Sequence, residues 1–388
     1  MENRIMGEES MELYLDNSAT TKVCQAAADK VMALMTTIYG NPSSLHTMGF
    51  EAEQEMSDAR FAVAQALGVQ EGEITFTSGG TEANNLAILG AAYARKRHGR
   101  KIVTTAIEHA SVLSCMQKLE QEGFVVEYLQ PQADGTILPE QLEAAIDDET
   151  ILVSVMMVNN EVGSILPVQA AAEIIKRKHA PALLHCDAVQ AFGKLPFRPR
   201  QLGIDLLTVS GHKIHAPKGI GALYVQQGVR LLPQMLGGGQ EKGLRAGTEA
   251  VPLIGGFGAA VHALPELKPT LDRIQALHDA CRAQLEELPG VVINSPRQGS
   301  PYVLNFSTCC VRAETLLHFL AARQIYVSGG SACAKGKQSH VLTAMGLEKQ
   351  RIQTAIRVSF SRETQEAEIA ALVQAVQAGM ETLAGEKR

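Results

Sequence analysis

Between residue 58 and about residue 250 the chain alternates short runs of branched and aliphatic residues with amphipathic stretches of ten residues or more. Few architectures accept that alternation. It predicts helices at 58–67, 81–97 and 168–179 and strands at 73–77, 101–106, 151–158 and 182–187, with a further helix, strand and helix filling the interval to 147. Two more apolar runs, IDLLTVS (204–210) and GIGALYV (219–225), flank the decapeptide SGHKIHAPKG at 210–219. Strands separated by helices long enough to cross over specify an α/β fold, a mainly parallel seven-stranded sheet flanked by helices. Such sheets bind ligands outside the carboxyl ends of their strands.

The pattern changes after GGGQEKGLRAGTEAVPL. A helix runs to about 264 and a proline-marked break follows at ELKPTL (266–271). Beyond it come a helix at 271–287, short strands at 291–294 and 302–307, a helix at 313–322 and a last helix after Thr364. This divides the chain into a large domain, 16–260, and a smaller α+β domain made of 1–15 and 261–388. No internal repeat or low-complexity segment interrupts either.

The composition narrows the class. With 46% hydrophobic and 20% charged residues the chain is globular rather than disordered. A net charge of −6 without a Lys/Arg block argues against direct nucleic-acid binding. The acidic opening MENRIMGEESMELYLD has no apolar core, so no secretory signal is expected. VPLIGGFGAAVHALP (251–265) falls short of the ~20 residues that span a bilayer. Seven scattered cysteines, odd in number and without a C-x-x-C pair, fit a reducing compartment, and a cytoplasmic location is expected. No His/Cys cluster has ligand spacing, so no metal site is expected.

Three groups suggest chemistry. Lys213 sits at the junction of two buried strands, where its stem either packs while the ammonium reaches water, or loses solvation and becomes a Schiff-base nucleophile. SGGTEANNLAIL (78–89) opens a helix with Gly80 and Thr81, a site where free N–H groups and the helix dipole favour an anion. Neither G-x-G-x-x-G nor a Walker sequence is present, and GSACAKGKQ has the wrong spacing for one. Asp187 ends the run ALLHCD with Gln190 three residues on; it is a helix cap or a carboxylate that keeps a cofactor's ring nitrogen protonated. A Schiff-base lysine, a ring-nitrogen carboxylate and a phosphate cup are together what pyridoxal 5'-phosphate requires.

YLDNSATT (14–21), GNPSSLH (40–46), TSGGTEANN (77–85), EH (108–109), NNEVG (159–163), HCDAVQ (185–190), SGHKIHAPKGIG (210–221), GGGQEKGLRAGTE (237–249) and SGGSACAKGK (328–337) occur in this order. In this the chain resembles the cysteine desulfurases of the NifS/IscS type, fold-type I pyridoxal phosphate enzymes. The resemblance implies that Lys213 forms the Schiff base, His109 stacks on the ring, Asp187 pairs with its nitrogen, and Gln190 and Asn159 approach its oxygen. It further implies that Gly80, Thr81, Ser210 and His212 bind the phosphate and that Thr248 reaches the phosphate of the other subunit of a homodimer with shared sites. Arg357 and Asn159 would bind the substrate, L-cysteine, with Arg357 taking its carboxylate. Cys333 would be the nucleophile that accepts its sulfur as a persulfide and leaves alanine. A sulfur-acceptor protein would follow, either an iron–sulfur scaffold or a tRNA-thiolation enzyme. Leu166 and Ala110 stand where the family commonly has Gln and a second His.

Cys333 itself lies in a glycine-rich stretch, about 328–340, that suits a travelling loop, and Lys335 and Lys337 favour its thiolate. The other six cysteines are expected to fill core positions. A selenocysteine lyase or an aminotransferase of the same fold would not need a thiol at 333. A non-catalytic sulfur-transfer scaffold would not need Lys213 and Asp187 as well.

Overall fold

The computed structural model describes residues 12–329 and 338–385. In chain order the first part contains β1 (Leu13–Tyr14), α1 (Gln25–Thr36), α2 (Thr47–Leu67), β2 (Ile74–Thr77), α3 (Gly80–Arg95), β3 (Lys101–Thr105), α4 (Ala110–Gln121), β4 (Val125–Leu129), α5 (Pro139–Ala145), β5 (Thr150–Ser154), α6 (Val168–Lys178), β6 (Leu183–Asp187), β7 (Leu206–Ser210), β8 (Gly221–Val225) and α7 (Val251–His262). The remainder contains α8 (Leu267–Glu286), β9 (Val292–Ile293), β10 (Val303–Ser307), α9 (Ala313–Ala321), β11 (Ile325–Tyr326), α10 (His340–Ala344), α11 (Lys349–Gln353), β12 (Ala355–Ser359) and α12 (Glu366–Gly385).

Seven strands form the main sheet in the order β2-β8-β7-β6-β5-β3-β4. All are parallel except β8, which runs antiparallel to both its neighbours. Adjacent residues of each strand bury on opposite faces. Ile102, Leu152, Leu183, Leu206 and Leu223 join α3 and α4 on one side, while Val103, Val153, Leu184, Leu207 and Ala222 join α2, α6 and α7 on the other. That is why these strands read as unbroken apolar runs rather than as alternations.

A separate core gathers Leu13 and Leu15 with Ile274, Cys281, Phe306, Leu316, Val358, Phe360 and Leu372. It lies under the three-stranded antiparallel sheet β12-β10-β9 and the parallel pair β1-β11. The first and last described elements meet there, and the bridge between Asp16 and Ser359 carries the chain after β1 toward the main sheet.

Some element boundaries depart from the sequence reading. α2 begins at Thr47 rather than 58 because its first half buries the small residues Gly49 and Ala52; further along, a Cβ added to Gly258 of α7 would meet the Ala59 Cα at 2.7 Å. Close backbone approach leaves no apolar stripe to read. α8 starts at Leu267, with Pro269 in its first turn, where a missing N–H costs nothing. The run 151–158 supplies a strand only to Ser154; the rest leaves the sheet toward the site. α1 and β12 have no counterpart in that reading. Among the described residues no helix is long and apolar enough to cross a membrane.

Candidate active site

A cavity of ≈ 250 Å³ opens beyond the carboxyl ends of the parallel strands, lined among others by Gly80, Thr81, His109, Asp187, Ser210, Lys213 and Arg357. Each side chain arrives on its own strand-to-helix connection. β2 leads into Gly80 and Thr81 of α3, β3 into His109, β6 ends on Asp187, and β7 leads through Ser210 to Lys213. The reversed strand β8 makes the last connection short. Gly211 N–H donates to the Ile220 carbonyl at 3.0 Å, and Ile214 and Ala216 N–H donate to the Gly211 carbonyl at 2.9 and 3.1 Å, pinning both flanks of Lys213.

The Lys213 Nζ donates to the carbonyls of Ser18, by a short contact, and of Ala19 at 2.8 Å. Asp187 is buried. Its Oδ2 accepts from Asn84 Nδ2 at 2.8 Å and its Oδ1 from the Val189 N–H at 3.0 Å. Asn84 Nδ2 also donates to the Ser111 hydroxyl at 2.9 Å, and that hydroxyl meets His109 Nδ1 at 2.8 Å, with the Ser111 N–H 3.2 Å from the same nitrogen. Ser111 thus holds the imidazole in place of any histidine at 110. Two donors on Nδ1 leave Nε2 to carry the ring proton, and burial pushes the His109 pKa below its ordinary value.

At the opposite end the start of α3 brings N–H groups that have no intrahelical partner, beside Ser210 and His212. Burial, followed by the cations Lys213, Lys218 and Lys194, lowers His212 to about 4, and its Nδ1 sits 3.2 Å from the Thr20 hydroxyl. A Cβ at Gly80 would meet Val189 Cγ2 at 3.0 Å, so a larger residue there would press on the cavity wall.

Arg357, 1% exposed, lies across the cavity on β12. One guanidinium nitrogen binds Asp16 Oδ1 at 2.8 Å and another the Asn160 carbonyl at 2.9 Å; among the described residues its Nε has no partner. Two other lining residues carry buried polar atoms with no partner among the described residues, Ser18 at Oγ and Asn84 at Oδ1. A cavity with orphaned donors and acceptors, an anion cup at one end, a carboxylate and an amine is built for a polar ligand with a phosphate. The donor set fits pyridoxal phosphate.

Two expectations need correction. Asn159 does not line the cavity. Its Oδ1 accepts from the N–H groups of Glu161 and Val162 at 2.9 and 3.0 Å and its Nδ2 donates to the Ile107 carbonyl at 2.9 Å, so the amide is consumed in holding its own turn. The neighbouring Asn160 lines the cavity instead. Nor are all the remaining cysteines core fillers. Cys115, Cys186 and Cys281 are buried, with burial raising the first and last to about 12 and Cys186 well above its ordinary value, but Cys310 is exposed and Cys309 partly so. Thr248 is exposed and outside the cavity of this single chain. Cys333, Lys335 and Lys337 lie outside the described residues. Asn84 and Ser111 are site residues the sequence reading omits. Asn84 stands three residues after Thr81, on the same helix face, which is the signal that points to it.

Beneath the site Glu108 is fully buried. Its Oε1 accepts from the Thr105 hydroxyl at 2.8 Å and the Met156 N–H at 2.9 Å, while Oε2 has no partner among the described residues. Burial pushes its pKa up to about 8, from 4.5. Below pH 4.5 it is neutral in both states and contributes no pH dependence. Between there and pH 8 the unfolded chain releases the proton and the folded one keeps it, so stability falls by about 1.4 kcal/mol per pH unit. The melting temperature is therefore expected to drop from pH 5 to pH 8 more steeply in the native protein than in Glu108→Gln, as followed by circular dichroism. Parallel curves would contradict the buried neutral carboxyl.

The geometry can be set beside known proteins. The family model described as aminotransferase class-V matches residues 13–372. The chain is 42% identical over 369 residues to a cysteine desulfurase of Nostoc, covering 93% of this chain and 91% of the relative. It is 42% identical over 368 residues to the cysteine desulfurase IscS of Escherichia coli, covering 92% and 90%. Among solved structures, a NifS-like protein superimposes with a TM-score of 0.89 at 39% identity, over 95% of this chain and 99% of that one. SspA in complex with cysteine gives 0.80 at 34% identity, over 90% and 98%.

Proposed function

The chain belongs to the class-V aminotransferase family and, within it, to the cysteine desulfurases of the NifS/IscS type, and from that membership we propose how its residues share the work. The observation that carries the proposal is the single cavity in which Lys213, Asp187, the start of α3 and Arg357 meet. Lys213 would anchor pyridoxal phosphate, Asp187 would pair with its ring nitrogen, His109 would stack on its ring, and Gly80, Thr81, Ser210 and His212 would hold the phosphate. Gln190 and Asn160 face the remaining polar edge. When bound, the cofactor supplies the electron sink that lets an amino acid lose its Cα proton.

The protein's own groups do the rest. Arg357 orients the carboxylate of L-cysteine with the Nε donor that has no partner among the described residues. The Lys213 amine takes up and returns the Cα proton, and His109, neutral through burial, carries protons at Nε2. The Cys333 thiolate attacks the substrate sulfur. An S–S bond forms as the Cβ–S bond breaks; the sulfur is oxidised to the persulfide level, and the carbon, reduced, gains a proton and leaves as alanine. Both neighbours of the segment that carries Cys333 are fixed beside the cavity. Ser328 pairs with Arg357 through two backbone hydrogen bonds, and the Ser339 hydroxyl donates to buried Glu161. Cys333 itself, five positions after Ser328, lies outside the described residues.

Met32, Met35, Tyr39, Leu45, Phe50 and Leu236 are large exposed apolar residues, side chains that a second copy of the chain would take out of water. This supports a homodimer in which Thr248 serves the partner's phosphate cup. The separate core that joins Leu13 and Leu15 to residues of 274–376 supports a smaller domain built from 1–15 and 261–388 beside the large domain 16–260, with Val341, Leu342, Met345, Leu347 and Ala355 reaching across into the main core. The cytoplasm as location, and an iron–sulfur scaffold or tRNA-thiolation enzyme as acceptor, complete the proposal.

The test is persulfide labelling after addition of L-cysteine. The native protein is expected to carry the label at Cys333 and release alanine. Cys333→Ser is expected to bind cysteine with an unaltered cofactor spectrum while both label and alanine fall to background. A labelled Ser variant, or unimpaired alanine release, would sink the assignment.

A further inference from the structure

Lys194 lies four residues beyond Gln190 in the turns that follow β6, and is 6% exposed. Its Nζ donates to Gln190 Oε1 at 3.2 Å and stands 5.5 Å from the centre of the Tyr302 ring. Gln190 Nε2 donates onward to the Ser18 carbonyl at 3.0 Å, and that carbonyl also receives Lys213 Nζ. Two lysines therefore sit at the ends of one relay, Lys194–Gln190–Ser18–Lys213. They also line a pocket of ≈ 20 Å³ with His215, Tyr302 and Arg362, room for about one water and so little screening.

A lysine with no task is rarely buried. Packing alone would be served by Met, which fills the same space without a nitrogen to desolvate. The nitrogen instead decides how the Gln190 amide lies. Turned over, the amide would set its NH₂ against the Lys194 donor and its oxygen against the Ser18 carbonyl, losing both hydrogen bonds. With Lys194 in place Gln190 offers the cavity only N–H. The charges acting most on Lys194 are both positive, Lys213 and Arg357, and with burial they hold its amine down to about 7. Lys194 presses in turn on His212 and His215.

We propose that Lys194 is a positioning residue of the active site: it fixes the Gln190 amide with its N–H groups toward the cofactor's oxygen and, when it carries its own proton, opposes protonation at Lys213. This rests on the pyridoxal phosphate reading. The test compares the native protein, Lys194→Met and Lys194→Gln, each loaded with pyridoxal phosphate, by spectrophotometric pH titration of the visible band and by cofactor titration of the apoprotein. With the opposing charge gone, the midpoint of the band is expected to rise by about one pH unit in both variants. Cofactor affinity is expected to fall about tenfold in Lys194→Met, which leaves Gln190 Oε1 buried without a donor, and to stay within about threefold in Lys194→Gln, which keeps one. Should the Met variant fail to fold, the midpoint of the Gln variant decides. Midpoints that stay or fall in the folded variants, while the native band titrates, overturn the role of Lys194 and leave the cofactor reading intact. A native protein that develops no visible band removes both.

Discussion

Lys213→Ala is expected to lose at least about ten-thousandfold in alanine release, because the proposed base for the Cα proton and the covalent anchor vanish together. The variant should still fold. Nζ gives up its hydrogen bonds to the Ser18 and Ala19 carbonyls at the cavity wall, where water can replace it, so the stability change is expected to be about 1 kcal/mol. The start of α3, Ser210 and His212 remain as a phosphate cup, and pyridoxal phosphate should bind reversibly. Borohydride reduction followed by mass spectrometry separates the cases: the native protein gains the cofactor mass on the peptide containing Lys213, and the Ala variant gains none. An adduct on another lysine, with turnover preserved, would move the site elsewhere.

The second large effect is expected at Arg357. In Arg357→Leu a cation that is 1% exposed disappears, leaving Asp16 and the Asn160 carbonyl without their donors. Breaking a buried pair from one side costs about 3–5 kcal/mol, and the Asp16 side chain, partly exposed, will recover some of that from water. The KM for L-cysteine is expected to rise about a hundredfold from the lost charge-assisted contact to the carboxylate. Arg357→Lys keeps the charge but not the fork, and is expected to fall between the two in both thermal melting and KM. An unchanged KM in a folded Leu variant would place the carboxylate on another group.

Lys213, Asp187 and the Gly80–Thr81 turn are legible in the sequence for a shared reason. Each closes or follows a short apolar run, and the ends of parallel strands converge in space. Asn160 is illegible beside Asn159, because which amide faces the ligand is settled by a turn whose hydrogen bonds to Glu161 and Val162 exist only once the chain has folded. Lys194, in FGKL, looks like a surface lysine until Gln190 and Tyr302 enclose it. The pair Asp16 and Arg357 lies 341 residues apart, beyond any local periodicity. The resemblance to the cysteine desulfurases named Arg357 where pattern alone would not. Helix starts went astray where glycine and alanine, not leucine, make the contact, as in α2 against α7.

The meeting of the chain after β1 with β12 beside the cavity also bears on biosynthesis. The parts of the phosphate cup that the chain supplies to its own cavity end at His212, and β8, which seats β2 beside β7, ends at Val225, so a nascent chain has them when little more than half has been translated. The Asp16 carboxylate must wait for Arg357, and the Ser359 carbonyl and hydroxyl that brace Asn17 and Ser18 come later still. Ribosome-bound chains thus have the means to grip a phosphate but not yet to orient an amino acid, and competence for catalysis arrives only at the close of translation.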